Sequence, residues 1–122
     1  MPETEVLIFA ESDDSSPFLN WLDKQAPKVQ DKCIVFIERL EEYGHELRRP
    51  QADYLRDGIY ELRIKRQKIN YRILYFFHEN QAVISHGIMK QQDKAPEKEI
   101  DIAIKNKAKF LANPEKHTYQ EP

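Results

Sequence analysis

The chain has 122 residues, 40% hydrophobic and 33% charged, which suits one compact domain and is too short for two ordinary ones. Its single cysteine, Cys33, excludes an internal disulfide and a structural zinc site of the multi-cysteine kind. No stretch approaches the run of about 20 apolar residues that a membrane helix requires, and the acidic start of the chain is the wrong charge for a secretory or transit signal; a cytoplasmic protein is the expectation.

In chain order, Glu5 to Phe9 is a short apolar run rich in strand formers. Ser12 to Ser16 is a polar turn. Ser16-Pro17 then reads as a helix start, a capping serine followed by a proline whose missing N–H costs nothing there. Phe18, Trp21 and Leu22 share a helical face, and Pro27 interrupts or restarts the pattern. Val29, Cys33, Phe36, Ile37 and Leu40 recur at helical spacing up to a natural stop at Gly44. Cys33 among them reads as a small buried hydrophobe and not a nucleophile.

From residue 59 the period changes. Tyr60, Leu62 and Ile64 alternate with Glu61, Arg63 and Lys65, the pattern of a half-buried strand. Two further strands are expected over Ile69–Phe77 and Val83–Met89, with connections short enough to favour antiparallel neighbours. A last helix begins at Pro96, carries Ile100, Ala103, Ile104, Ala108 and Leu111 on one apolar face, and ends at Asn113-Pro114. The expected fold is α+β, in the order β-α-α-β-β-β-α: an antiparallel β-sheet with an N-terminal helical hairpin and a C-terminal helix. One domain is expected over residues 1–113, with a loose polar tail over 114–122.

The net charge of -2 is unevenly spread. Residues 1–23 hold six acids and no base, whereas residues 48–76 hold eight bases against three acids, a local excess of five positive charges. A patch this basic suits phosphate, or it is a solvated charged surface.

The ordered set of motifs resembles the RelE/ParE toxin superfamily, and within it the phage-derived HigB-like branch. It runs from Ser16-Pro17-Phe18 and Trp21-Leu22 to Gly44, Leu47 and Pro50. It continues through Gly58-Ile59-Tyr60-Glu61-Leu62-Arg63 and Tyr71-Arg72-Ile73-Leu74-Tyr75. It closes on His86-Gly87-Ile88-Met89-Lys90, Lys94-Ala95-Pro96 and the helix with Glu99, Ile100 and Ala103. The resemblance implies a RelE-like fold and a type II toxin, a ribosome-dependent mRNA endoribonuclease that inhibits translation. It implies the ribosome, mRNA and a helix-turn-helix, HigA-like antitoxin as partners. No metal and no cofactor is implied.

In such toxins a ribose 2′-OH attacks the adjacent phosphate, and preorganised Arg and Lys meet the negative charge that develops. On this resemblance Arg72, Arg63 and Lys90 are the candidate catalytic residues. Lys65, Arg66, Lys68 and Tyr71 are candidate RNA contacts, with Tyr71 or Tyr75 able to stack on a base. Competing readings stay open: Arg72 stacked on Tyr71 or Tyr75 or paired with Glu61, Arg63 paired with Glu61, and the two tyrosines in the core. Lys90 acts as a base only if burial or nearby cations lower its pKa by several units. His45 and His78 fall in loops and His117 in the tail. His86, alternating with Ile84 and Ile88, is either a satisfied core histidine or an acid/base group. Two other functions share the fold, a gyrase-binding protein without chemistry and a weakened homologue that only binds antitoxin.

Overall fold

A computed structural model of the chain describes residues 4–90 and 95–121, the Lys90 side chain excepted. Strand β1 (Glu5–Ile8) leads into helices α1 (Pro17–Asp23) and α2 (Pro27–Tyr43), then strands β2 (Ala52–Arg56), β3 (Ile59–Arg66), β4 (Ile69–His78) and β5 (Gln81–Lys90), and finally helix α3 (Glu97–Ala112). The fold is α+β, as expected, but two features differ from the expected order. The sheet has five described strands in the order β1-β5-β4-β3-β2, and β1 runs parallel to β5. The antiparallel expectation therefore holds for β2 to β5 alone. A parallel pair needs a long crossover; here everything between Phe9 and Asn80 forms it.

Local chemistry sets the element ends. Ser16 Oγ accepts the Leu19 N–H at 3.1 Å, with Pro17 in the first turn of α1. Pro27 opens α2, and Gly44, at φ 53°, closes it. Gln67 and Lys68 at φ 52° and 70° make a two-residue hairpin turn between β3 and β4. Asp57-Gly58, at φ 51° and 83°, turns β2 into β3.

The sheet is covered on both faces. Against one, α1 and α2 bury Phe18, Val29, Cys33 and Leu40 on Leu62, Ile64, Ile73, Tyr75 and Ile84. Gly87 lies under the Trp21 ring so closely that any side chain there would collide with it. Burial raises the Cys33 thiol to about 11, so it stays protonated. Against the other face, α3 buries Ile100, Ala103 and Phe110 on Phe9, Ile59, Leu74, Phe76 and Val83. The inward stripe of α3 thus runs through Phe110 and the polar Asn106, whereas Ala108 and Leu111 are exposed. The chain after α3 folds back: His117 is buried, its Nδ1 lies 2.8 Å from Ala10 O, and Tyr119 N donates to Ile8 O at 2.7 Å. Residues 117–119 are therefore tied to β1, where a loose tail was expected.

A basic groove at the edge of the sheet

β2 pairs with β3 as far as Ala52 opposite Leu62, with one further bond from Arg63 N to Gln51 O at 2.8 Å. Beyond that point no β2 residue flanks Ile64 to Arg66. A groove of about 760 Å³ opens there, between α2, the residue 49–51 segment and the end of the sheet. Its lining includes Lys32, Arg39, Arg49, Arg63, Lys65 and Arg72, and no acidic side chain among the described residues. Phe36, Pro50, Gln51, Ile64 and Asn70 complete its walls.

Register explains why Arg63, Lys65 and Arg72 meet. Arg63 lies opposite Arg72, and Lys65 opposite Asn70, across the β3–β4 pair. Side chains at every second position share a face, so Glu61, Arg63 and Lys65 line up beside Leu74, Arg72 and Asn70 on the face that carries α3. Glu61 is 2% exposed and holds both guanidinium groups: Arg63 donates from NH1 to Oε2 at 2.9 Å, and Arg72 Nε lies 3.3 Å from Oε1. Arg72 also donates from NH1 to Tyr71 O at 3.3 Å. Among the described residues, Arg63 and Arg72 thus meet on one buried carboxylate. Arg72 is itself only 2% exposed, whereas Arg63 is 20% exposed and Lys65 open to solvent. The Lys32 ammonium, from α2, donates to Lys65 O at 2.9 Å and closes the groove's far side.

The other candidates fall elsewhere. Arg66 donates to the Gln67 side chain at 3.1 Å, and Lys68 is exposed in the hairpin turn; neither lines the groove. Tyr71 is buried in the hairpin core with its ring edge-on to Trp21, which leaves no face for a base. The Lys90 side chain lies outside the described residues, although its Cα is in register with Asn70. Arg39 and Lys32 on α2, and Arg49 before Pro50, were missed as candidates. Their spacing gave no signal, since only the folded chain brings α2 beside β3.

His86 proves to be a hydrogen-bonded core residue. A β-bulge in β5 shifts register between Ile84 and His86. Ile84 therefore packs against the helical hairpin, while Ile88 packs with the α3 core, and the expected alternation fails. Asn106 Nδ2 donates to Ser85 Oγ at 2.9 Å, Ser85 Oγ lies 2.8 Å from His86 Nδ1, and His86 Nε2 lies 3.0 Å from Glu99 Oε1. Burial pulls the imidazole below its ordinary 6.5, partly opposed by Glu99. The neutral ring suits the chain: serine O–H to Nδ1, and Nε2–H to the carboxylate.

Fold and groove together define a small α+β protein with a cation-lined groove at the edge of its sheet. The chain belongs to the family described as Phage derived protein Gp49-like (DUF891), which matches residues 20–108. That family is associated with the toxins of toxin–antitoxin pairs. No curated protein matches the chain. Among the described residues no helix is long and apolar enough to cross a membrane, and no cluster of His, Cys, Asp or Glu is suited to hold a metal.

Proposed function

We propose that the chain is a toxin of the RelE/ParE superfamily, of HigB-like type, that cuts mRNA on the ribosome and so arrests translation. One observation carries the reading: six cationic side chains and no described acid line one groove at a sheet edge. A polyanion gains most from the accessible ones, Arg63 and Lys65 among them. In the proposed reaction a ribose 2′-OH loses its proton and its oxygen bonds to the neighbouring phosphorus. The bond from that phosphorus to the 5′ oxygen of the next nucleotide breaks and that oxygen takes up a proton, leaving a 2′,3′-cyclic phosphate and a 5′-OH. Arg63 and Lys65, the accessible cations, contact the phosphate oxygens as charge builds on them. Arg72, held behind them by Glu61, acts through the field of its charge. Lys90 stays a candidate for the same phosphate. The proposed restraint is a helix-turn-helix, HigA-like antitoxin that covers the groove.

Burial of Arg72 and Tyr71 favours a second reading, a toxin that binds its target, gyrase for instance, without chemistry. Induction of the chain alone separates the two. Mapping transcript 5′ ends within minutes, with and without active translation, should show new ends that depend on translation. Intact transcripts with a DNA-damage response would favour the second reading.

A further inference from the structure

A second cavity, of about 380 Å³, opens on the other side of the Leu47–Ala52 segment and shares Arg49 with the groove. Its lining includes His45, Arg48, Arg49, Asp53, Tyr54 and Tyr60. Tyr54 is 52% exposed, so one part of its ring is open to solvent. Yet it is fixed. Its hydroxyl accepts the Gly58 N–H at 3.0 Å, and Tyr60 braces the ring edge-on at a centroid distance of 5.0 Å. Tyr60 is in turn stacked on Tyr75 at 5.5 Å, and His45 on Phe77 at 3.5 Å, so the platform is rooted in the core. The one acid of the lining is engaged: Asp53 Oδ2 accepts two bonds from Arg49, at 3.0 and 2.9 Å, and Oδ1 accepts Tyr54 N at 3.0 Å. Arg48 is exposed with no side-chain partner among the described residues.

We propose that this cavity is a nucleobase subsite, in which Tyr54 stacks on an unpaired base of a single-stranded RNA whose backbone lies in the adjoining groove. The inference rests on the RNA-groove reading above and adds a seat for one base of that strand, outside the groove itself. Single strands are held by cations that track the backbone and by aromatic rings that stack on the bases. A duplex hides its base faces and offers Tyr54 nothing to stack on. Arg49, shared by both cavities, marks where backbone and base would part. A ring already immobilised loses little freedom on binding.

The test uses the purified chain and labelled single-stranded oligoadenylate, beside an abasic ribose-phosphate oligomer of equal length. Tyr54→Ala should weaken oligoadenylate binding about tenfold, the loss of one stacked base, and leave abasic binding unchanged. Tyr54→Phe, which keeps the ring, should recover that loss. Tyr43→Ala, at an exposed tyrosine outside this cavity, should change neither. If Tyr54→Ala binds oligoadenylate as the wild type does, while Arg63→Ala and Lys65→Ala lose it, the subsite is wrong and the groove stands. If the wild type binds neither oligomer, groove and subsite fall together.

Discussion

Two arginine–carboxylate clusters of the molecule differ in burial. At the groove, Arg63 and Arg72 share the single carboxylate of Glu61, which is 2% exposed. At the tip of the β2–β3 hairpin, Arg56 alone meets three acids: Asp57 at 2.8 Å, Glu97 at 2.9 Å and Asp101 at 2.8 Å. Those acids hold the Arg56 guanidinium even more firmly protonated than usual. The second cluster is exposed and over-neutralised, and it joins the hairpin to the first turns of α3. The first is buried, and two guanidinium groups meet there on Glu61. Similar side chains therefore make an exposed clamp in one place and a buried cluster beside the groove in the other.

That contrast breaks most sharply at Glu61. Glu61→Gln removes the buried carboxylate on which Arg63 and Arg72 meet and should cost about 3–5 kcal/mol in urea unfolding. Inorganic phosphate should then stabilise the variant more than it stabilises the wild type, because an external anion takes the missing place. A variant as stable as wild type, indifferent to phosphate, would mean that the arginines do not depend on Glu61.

Arg63→Ala comes next. It removes a charged hydrogen bond worth about 1.5–3 kcal/mol but leaves Glu61 paired to Arg72, so the fold should survive. Under the proposed function, growth arrest on induction should nonetheless disappear, and arrest at wild-type strength would count against Arg63 as the phosphate contact.

A smaller effect is expected with pH at His86. Its folded-state pKa lies below the ordinary 6.5, so the unfolded chain binds the proton first. Stability is fully present above about 6.5 and declines as pH falls below it. Tm measured from pH 7.5 to 5 should drop, and the drop should shrink in His86→Gln. Smallest of all is Arg56→Ala. The cluster is open to water, so Tm should fall slightly at low salt and not at all at high salt. A large loss there would make the hairpin clamp as demanding as the groove.

Much of the fold was legible because the chain writes it in local periodicity. Ser16-Pro17, Gly44, the alternation from Tyr60 to Lys65 and the aromatic run of β4 each specified an element through its own neighbours. β2 was missed although Asp57-Gly58, a strong hairpin pair, stands directly after it; Ala52 to Arg56 is too short and too mixed to declare a period. The inward face of α3 was misjudged because Asn106 replaces an apolar residue on it and Phe110 sits at its end. The bulge at Ser85 was invisible for a similar reason: one extra residue leaves the composition unchanged and reverses the facing of all that follows.

The site divides in the same way. That the middle of the chain is basic, and that Arg63, Lys65 and Arg72 lie on neighbouring strands, followed from sequence alone, since strand pairing is set by turn length. The placement of Lys32 and Arg39 from α2 beside them, the burial of Tyr71, and the partition of one carboxylate between two guanidinium groups were decided only by tertiary packing. Periodicity fixes which side of an element faces inward. Which distant charge ends up opposite it, and how little water remains between them, depends on how whole elements are laid against one another.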